Sequence, residues 1–235
     1  MYPLFSFQVP AAFVAVCLSF MSASSHAAGM VPETPVVVVD QASGEATLNV
    51  RNSDDQPALL YSTIEHIPED AEPLLLLNPP VARVEPGKSQ QVRFILREVG
   101  PLKTERLQRV VFEGISPRQG GSGAQVHLTV RQNIPVIVRP ANLAIDRMPW
   151  KRLVWSVAGQ QIRVSNPSSY VVRLSKAASL IPGGVTLDLQ RTYILPGEVL
   201  MLDTSSTLGT HVRLFPATTY GFAVDSYDAP LIVQR

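Results

Sequence analysis

Beyond its first 27 residues the chain has three histidines, His66, His127 and His211, far apart in sequence, and no spacing among them suggests a metal site. No G-x-S-x-G elbow and no P-loop occurs, so nucleophilic hydrolysis and nucleotide chemistry lack their usual parts. Gly120-Gly121-Ser122-Gly123 joins two strand-like runs with no helix behind it, which is a poor phosphate cradle. The single cysteine, Cys17, sits in an N-terminal apolar run and excludes an intrachain disulfide. An enzyme, a cofactor and a metal are therefore not expected. The chemistry left to the chain is non-covalent.

Its carrier is a stretch of strict alternation. From Val126 to Val138 the even positions read Val126, Leu128, Val130, Gln132, Ile134, Val136 and Val138, six of seven apolar. The odd positions are His127, Thr129, Arg131, Asn133, Pro135 and Ile137. Period-two patterning marks a strand, and 13 residues would extend about 43 Å, more than most strands reach. Either a bulge breaks it and both parts share one core, or Val126, Leu128 and Val130 project a surplus apolar edge toward a partner. Unblunted apolar edges invite pairing.

The elements around this stretch are strands. Pro35–Val39, Ala46–Val50, Leu59–Ile64, Leu74–Leu77, Val81–Val84, Gln91–Leu96 and Arg109–Ile115 are short β-rich runs cut by turn residues such as Asn52-Ser53-Asp54-Asp55 and Glu85-Pro86-Gly87-Lys88. About seven strands in about 110 residues is the pattern of an immunoglobulin-like sandwich. After Arg139-Pro140-Ala141-Asn142 the rhythm resumes with Leu153–Val157, Gln161–Val164, Tyr170–Leu174, Val185–Leu189, Val199–Leu202, Val212–Leu214, Tyr220–Val224 and Leu231–Val233. The expected fold is all-β: two sandwiches, 28–140 and 141–235. Trp150 and Trp155 are expected in core or domain-edge packing.

Composition agrees. Twenty Lys+Arg against 19 Asp+Glu leave a net charge of +1, with no electrostatic case for nucleic acid. A hydrophobic fraction of 46% excludes a disordered chain, and 20 prolines argue against a helical bundle. Residues 1–27 carry no Lys, Arg, Asp or Glu, contain the apolar run Ala11–Met21 and end in Ser25-His26-Ala27, a small-residue cleavage pattern. A secretory signal peptide is expected there, although its start lacks a basic side chain; a short uncleaved anchor is the other reading.

Three segments carry a family resemblance. Pro79-Pro80-Val81-Ala82-Arg83-Val84-Glu85-Pro86-Gly87-Lys88-Ser89-Gln90-Gln91-Val92-Arg93 resembles the P-P-x-x-R-x-x-P-G segment of periplasmic pilus chaperones. Ile134-Pro135-Val136-Ile137-Val138-Arg139-Pro140 is similar to the end of their first domain, and Asn166-Pro167-Ser168-Ser169-Tyr170-Val171-Val172 to an N-P-x-x-Y-x-V turn early in their second. The resemblance implies two Ig-like domains set in a boomerang, a periplasmic location, and binding of pilus subunits by donor-strand complementation before delivery to an outer-membrane usher. It places the donor strand on Val126, Leu128 and Val130, with the short turn Pro117–Gly123 before it. It also implies an interdomain ion network of Glu105, Arg139 and Asp225.

Two positions depart from the family. Its cleft arginine and cleft lysine, which anchor a subunit's C-terminal carboxylate, align with Val36 and Pro135, and neither can pair with an anion. Arg131, on the same strand and, without a bulge, on the same face as Pro135, is the expected substitute, with Arg106 and Arg109 behind it. No nucleotide is expected. A secreted tandem-Ig adhesion or structural module is the competing function. The sequence leaves open whether free molecules cap their apolar strand as a dimer.

Overall fold

The computed structural model describes residues 29–98, 100–116, 130–218 and 220–233. The expected signal peptide, the loop before the long strand, and Val126 and Leu128 lie outside the described residues.

Nine strands form the first domain: β1 (Met30–Pro32), β2 (Val37–Asp40), β3 (Glu45–Asn52), β4 (Ala58–Glu65), β5 (Leu75–Asn78), β6 (Val81–Val84), β7 (Ser89–Leu96), β8 (Arg106–Ile115) and β9 (Arg131–Arg139). One sheet runs β1-β3-β7-β5 and the other β2-β9-β8-β4-β6. Alternation drives the inner faces together. In β3, Leu48 and Val50 point inward and Asn49 and Arg51 outward; Val92 and Phe94 do the same from β7. Between β6 and β7 the chain reverses at Pro86-Gly87, where Gly87 takes φ +69, a value that favours glycine.

After a 3-10 turn at Pro149–Arg152 the second domain comprises β10 (Val154–Ala158), β11 (Gln161–Ser165), β12 (Val172–Leu174), β13 (Ala177–Ile181), β14 (Thr186–Asp188), β15 (Tyr193–Ile194), β16 (Val199–Asp203), β17 (His211–Leu214), β18 (Pro216–Ala217) and β19 (Tyr227–Val233). A sheet ordered β14-β13-β17-β19-β10-β11-β16 faces a smaller one, β15-β12-β18. Trp150 and Trp155 are buried in its core. The N-P-x-x-Y turn has a visible cause. Buried Asn166 donates to the Tyr170 and Ile194 carbonyls at 2.8 and 3.2 Å, and its Oδ1 accepts from Ser168 Oγ at 2.6 Å. The Tyr170 hydroxyl donates to the Ala144 carbonyl in the linker at 2.8 Å. Asn52 staples the first domain alike, donating to the Val84 and Gln56 carbonyls at 3.0 and 2.8 Å.

One expected strand is absent. Tyr220–Val224 is the tip of a hairpin: Gly221, at φ +86, donates to the Thr218 carbonyl at 2.9 Å, and only Ala223 bridges, to Ala217. The aromatic and β-branched residues there suggest a strand, but the glycine turns the chain first. The short strands β1 and β15 carry too few residues to show a period, and β13 (Ala177–Ile181) opens on Ala-Ala-Ser, small residues without a strand signal.

A third apolar cluster lies between the domains. Val36, Ile67, Leu107 and Ile137 from the first pack with Val171 of the second, flanked by Tyr193 and Leu195.

Candidate functional site: an open strand edge beside a basic cleft

Strand β9 pairs with β8 in unbroken register from Glu113↔Arg131 to Arg106↔Val138, so no bulge interrupts this stretch. On its other side β2 covers only Val136 to Arg139. The chain arrives in the opposite sheet as β1, paired with β3, and crosses to β2 only at Val37. Among the described residues, 131–135 therefore have a strand on one side alone.

Arg139 uses its carbonyl to accept from Gln41 N, just past β2, at 2.9 Å. Backbone groups of alternate residues face the same side of a strand. Those of Arg131 and Asn133 consequently face the open edge, and at Pro135 the edge has no N–H to offer. Val130, at the strand's start, is 39% exposed. The described part of the expected donor segment is thus a half-exposed edge without a partner strand, its Asn133 carbonyl taken by the Arg109 guanidinium.

The expected anchor, Arg131, is already compensated. Its Nη2 lies 3.3 Å from Glu65 and its Nε 3.5 Å from Glu113, with 57% of the side chain in solvent. Arg106 is likewise occupied: it forks onto Asp70 at 2.6 and 2.5 Å and reaches Glu72 at 2.9 Å. Val36 and Pro135 are both buried.

Two other arginines stand differently. Arg109 of β8 donates to the side-chain and main-chain oxygens of Asn133, the latter at 2.8 Å. Arg173 of β12 donates to the Thr218 carbonyl at 3.4 Å. Among the described residues neither has a carboxylate within ion-pair distance. Burial draws the Arg109 guanidinium below its ordinary value, against the pull of Tyr193 and Glu65. Burial does the same to Arg173, and the charge of Arg109 lowers it further. At the cleft floor the hairpin tip meets the first domain so closely that a Cβ on Gly221 would lie 2.6 Å from Pro35 Cγ.

The expected ion network takes another form. Arg139 and Glu105, both buried, lie 3.4 Å apart. The third partner is a backbone group: Val171 N donates to Glu105 Oε2 at 2.9 Å, and Glu105 N donates to the Ser169 carbonyl at 2.9 Å. Asp225 is exposed and joins no ion pair among the described residues. The Gly221 turn carries the chain outward before Asp225, and the free N–H of Val171 already fills the place beside the carboxylate. Burial pushes the Glu105 carboxyl above its ordinary value in spite of Val171 and Arg139.

Sequence reasoning passed over Arg173. Its signal was a cation set between buried Val172 and Leu174 in a short apolar strand. No local motif could reveal its pairing with Arg109, which lies in the other domain.

Residues 29–144 match the model of the pili and flagellar-assembly chaperone PapD N-terminal domain, and residues 149–227 that of the pili assembly chaperone PapD C-terminal domain. The chain is 43% identical to the uncharacterized fimbrial chaperone YhcA of Escherichia coli K12 over 207 residues, 88% of this chain and 92% of that one. The chain belongs to the fimbrial chaperone family. A second relative of this family, the chaperone protein AfaB of Escherichia coli, is 29% identical over 68% of this chain and 70% of its own. The two-sandwich fold matches the E. coli chaperone DraB with a TM-score of 0.71 at 24% identity, over 87% of this chain and 99% of that one. It also matches the SafB chaperone of Salmonella enterica, solved in complex with the SafA pilin, with a TM-score of 0.73 at 20% identity, over 88% and 99% of the two chains. Among the described residues no group of His, Cys, Asp and Glu could hold a metal ion. No described helix is long and apolar enough to cross a membrane.

Proposed function

We propose that this fimbrial chaperone works in the periplasm, lending strand 126–133 to a pilus subunit that lacks its own closing strand, and hands the subunit to an outer-membrane usher. The observation that carries the reading is the open edge of β9 at Arg131 and Asn133, which follows the alternating apolar segment directly in sequence. The subunit's groove takes Val126, Leu128 and Val130, while its backbone pairs with the unpaired edge. Each apolar side chain so buried contributes about 1.5–3 kcal/mol. Release follows exchange against the donor segment of another subunit, which needs no nucleotide. The SafB–SafA complex supports the reading, because that chaperone shares this fold and holds a pilin.

The subunit's terminal carboxylate pairs with Arg109 and Arg173, not with Arg131. Those two are the desolvated cations without acidic partners, whereas Arg131 would have to leave Glu65 and Glu113. The test is recovery of the partner subunit from periplasm. Leu128→Asp is expected to leave the chaperone soluble and the subunit unrecovered; undiminished recovery would favour the adhesion-module reading. Arg109→Ala with Arg173→Ala is expected to weaken the complex and flatten its salt dependence, and Arg131→Ala to change neither.

A further inference from the structure

Between β4 and β5 the chain makes a tight knob. Asp70 N donates to the Ile67 carbonyl at 3.1 Å, and Ile67 is buried against Val171 in the cluster between the domains. The knob is tied to β8: Arg106 forks onto Asp70, and Gln108 donates to the Glu72 carbonyl at 2.6 Å. At its apex Glu69 leaves the first domain. It pairs with Arg191 of the second and accepts the Tyr193 hydroxyl at 2.9 Å. Arg191 also pairs with Glu198 and lies 5.0 Å over the Tyr193 ring. Glu198 is fixed in turn by Leu195 N, which donates to it at 2.9 Å.

Both ends of this chain of contacts stand behind a cleft arginine. Arg106 and Gln108, which hold the knob, precede Arg109 on β8. Tyr193, which receives the clamp, is the cross-strand partner of Arg173. We propose that Glu69, Arg191 and Tyr193 are positioning residues: they clamp β8 to the β12–β15 pair and so fix Arg109 of the first domain relative to Arg173 of the second, the two cations proposed to meet the subunit's carboxylate. The clamp is partly buried, with side-chain exposures of 18% for Arg191 and 31% for Glu69, where ion pairs are screened less than on open surface. The carboxylate's identity rests on the proposed donor-strand function; the clamp itself does not.

The test uses the free mature protein with spin labels at Leu76→Cys and Leu208→Cys, exposed sites in the two domains. Electron-electron double resonance is expected to give one narrow distance distribution. Arg191→Met should shift and broaden it, Glu69→Gln should do the same from the other domain, and Tyr193→Phe should do so less. Arg191→Lys should restore it in part, which a purely structural loss would not. Subunit recovery should fall at least about tenfold in Arg191→Met, the equivalent of 1.4 kcal/mol. An unchanged distance distribution in both Arg191→Met and Glu69→Gln overturns the clamp, whatever the subunit does. A shifted distribution combined with full subunit recovery in Leu128→Asp leaves the clamp standing and sinks the donor-strand reading instead.

Discussion

Strand β9 has two halves that divide at Pro135. In the inner half, Val136 to Arg139, β8 and β2 flank the strand on both sides, and both faces are covered. Val136 and Val138 enter the first core, and Ile137 enters the cluster between the domains. In the outer half, Arg131 to Asn133, one side is open and the odd residues reach solvent. One continuous strand is thus scaffold at one end and free edge at the other. The difference comes from where the N-terminal segment changes sheets. Apolar patterning along a strand therefore does not by itself say what covers it.

Substitutions can break or sharpen that contrast. Ile137→Asp, in the inner half, puts a charge at a site that is 1% exposed and apolar. It is expected to cost about 4 kcal/mol or more and to abolish soluble product, read as periplasmic yield. Arg139→Ala, at the strand's inner end, leaves the Glu105 carboxylate buried without its cation. A loss of about 3–5 kcal/mol in urea unfolding is expected; wild-type unfolding would show the pair to be dispensable.

A smaller effect lies in pH. Because the folded state raises the Glu105 value, folded protein binds the proton more tightly than unfolded protein. That contribution to stability is fully present below the ordinary glutamate value and is lost as pH rises through the raised one. Glu105→Gln should lack this decline, so the difference in unfolding free energy between wild type and variant should change across that window and be flat above it. Smallest of all is Val130→Asp in the outer half: stability within about 0.5 kcal/mol of wild type, since the side chain already meets solvent. Its subunit recovery should nevertheless fail. A stability loss as large as that of Ile137→Asp would erase the distinction between the halves.

Much of this was legible in the sequence. The turn at Pro86-Gly87 and the alternation in β3 and β7 specify a sandwich locally, since inward and outward residues differ in kind. The long alternating strand was legible for the same reason. Ile137 was not, because its odd position reads as the outer face, and the cluster between the domains buries it. Arg173, Arg191 and Glu69 were missed, and Asp225 chosen, for a related reason. Contacts between domains depend on where distant segments meet, and no period in the chain encodes that. Tyr220–Val224 was misread because its side chains favour a strand while Gly221 decides the backbone.

The cluster of Val36, Ile67, Leu107, Ile137 and Val171 has a consequence for how the molecule comes apart. If the second domain melted alone, four of these five residues would be left facing water on the first. The Glu105 carboxylate would also lose the Val171 N–H. Neither domain can unfold without raising the free energy of the other. Calorimetry is therefore expected to record one transition for the whole chain, with calorimetric and van't Hoff enthalpies equal. The cooperative unit is the pair of domains, and a cut in the linker should split that single peak into two, both at lower temperature.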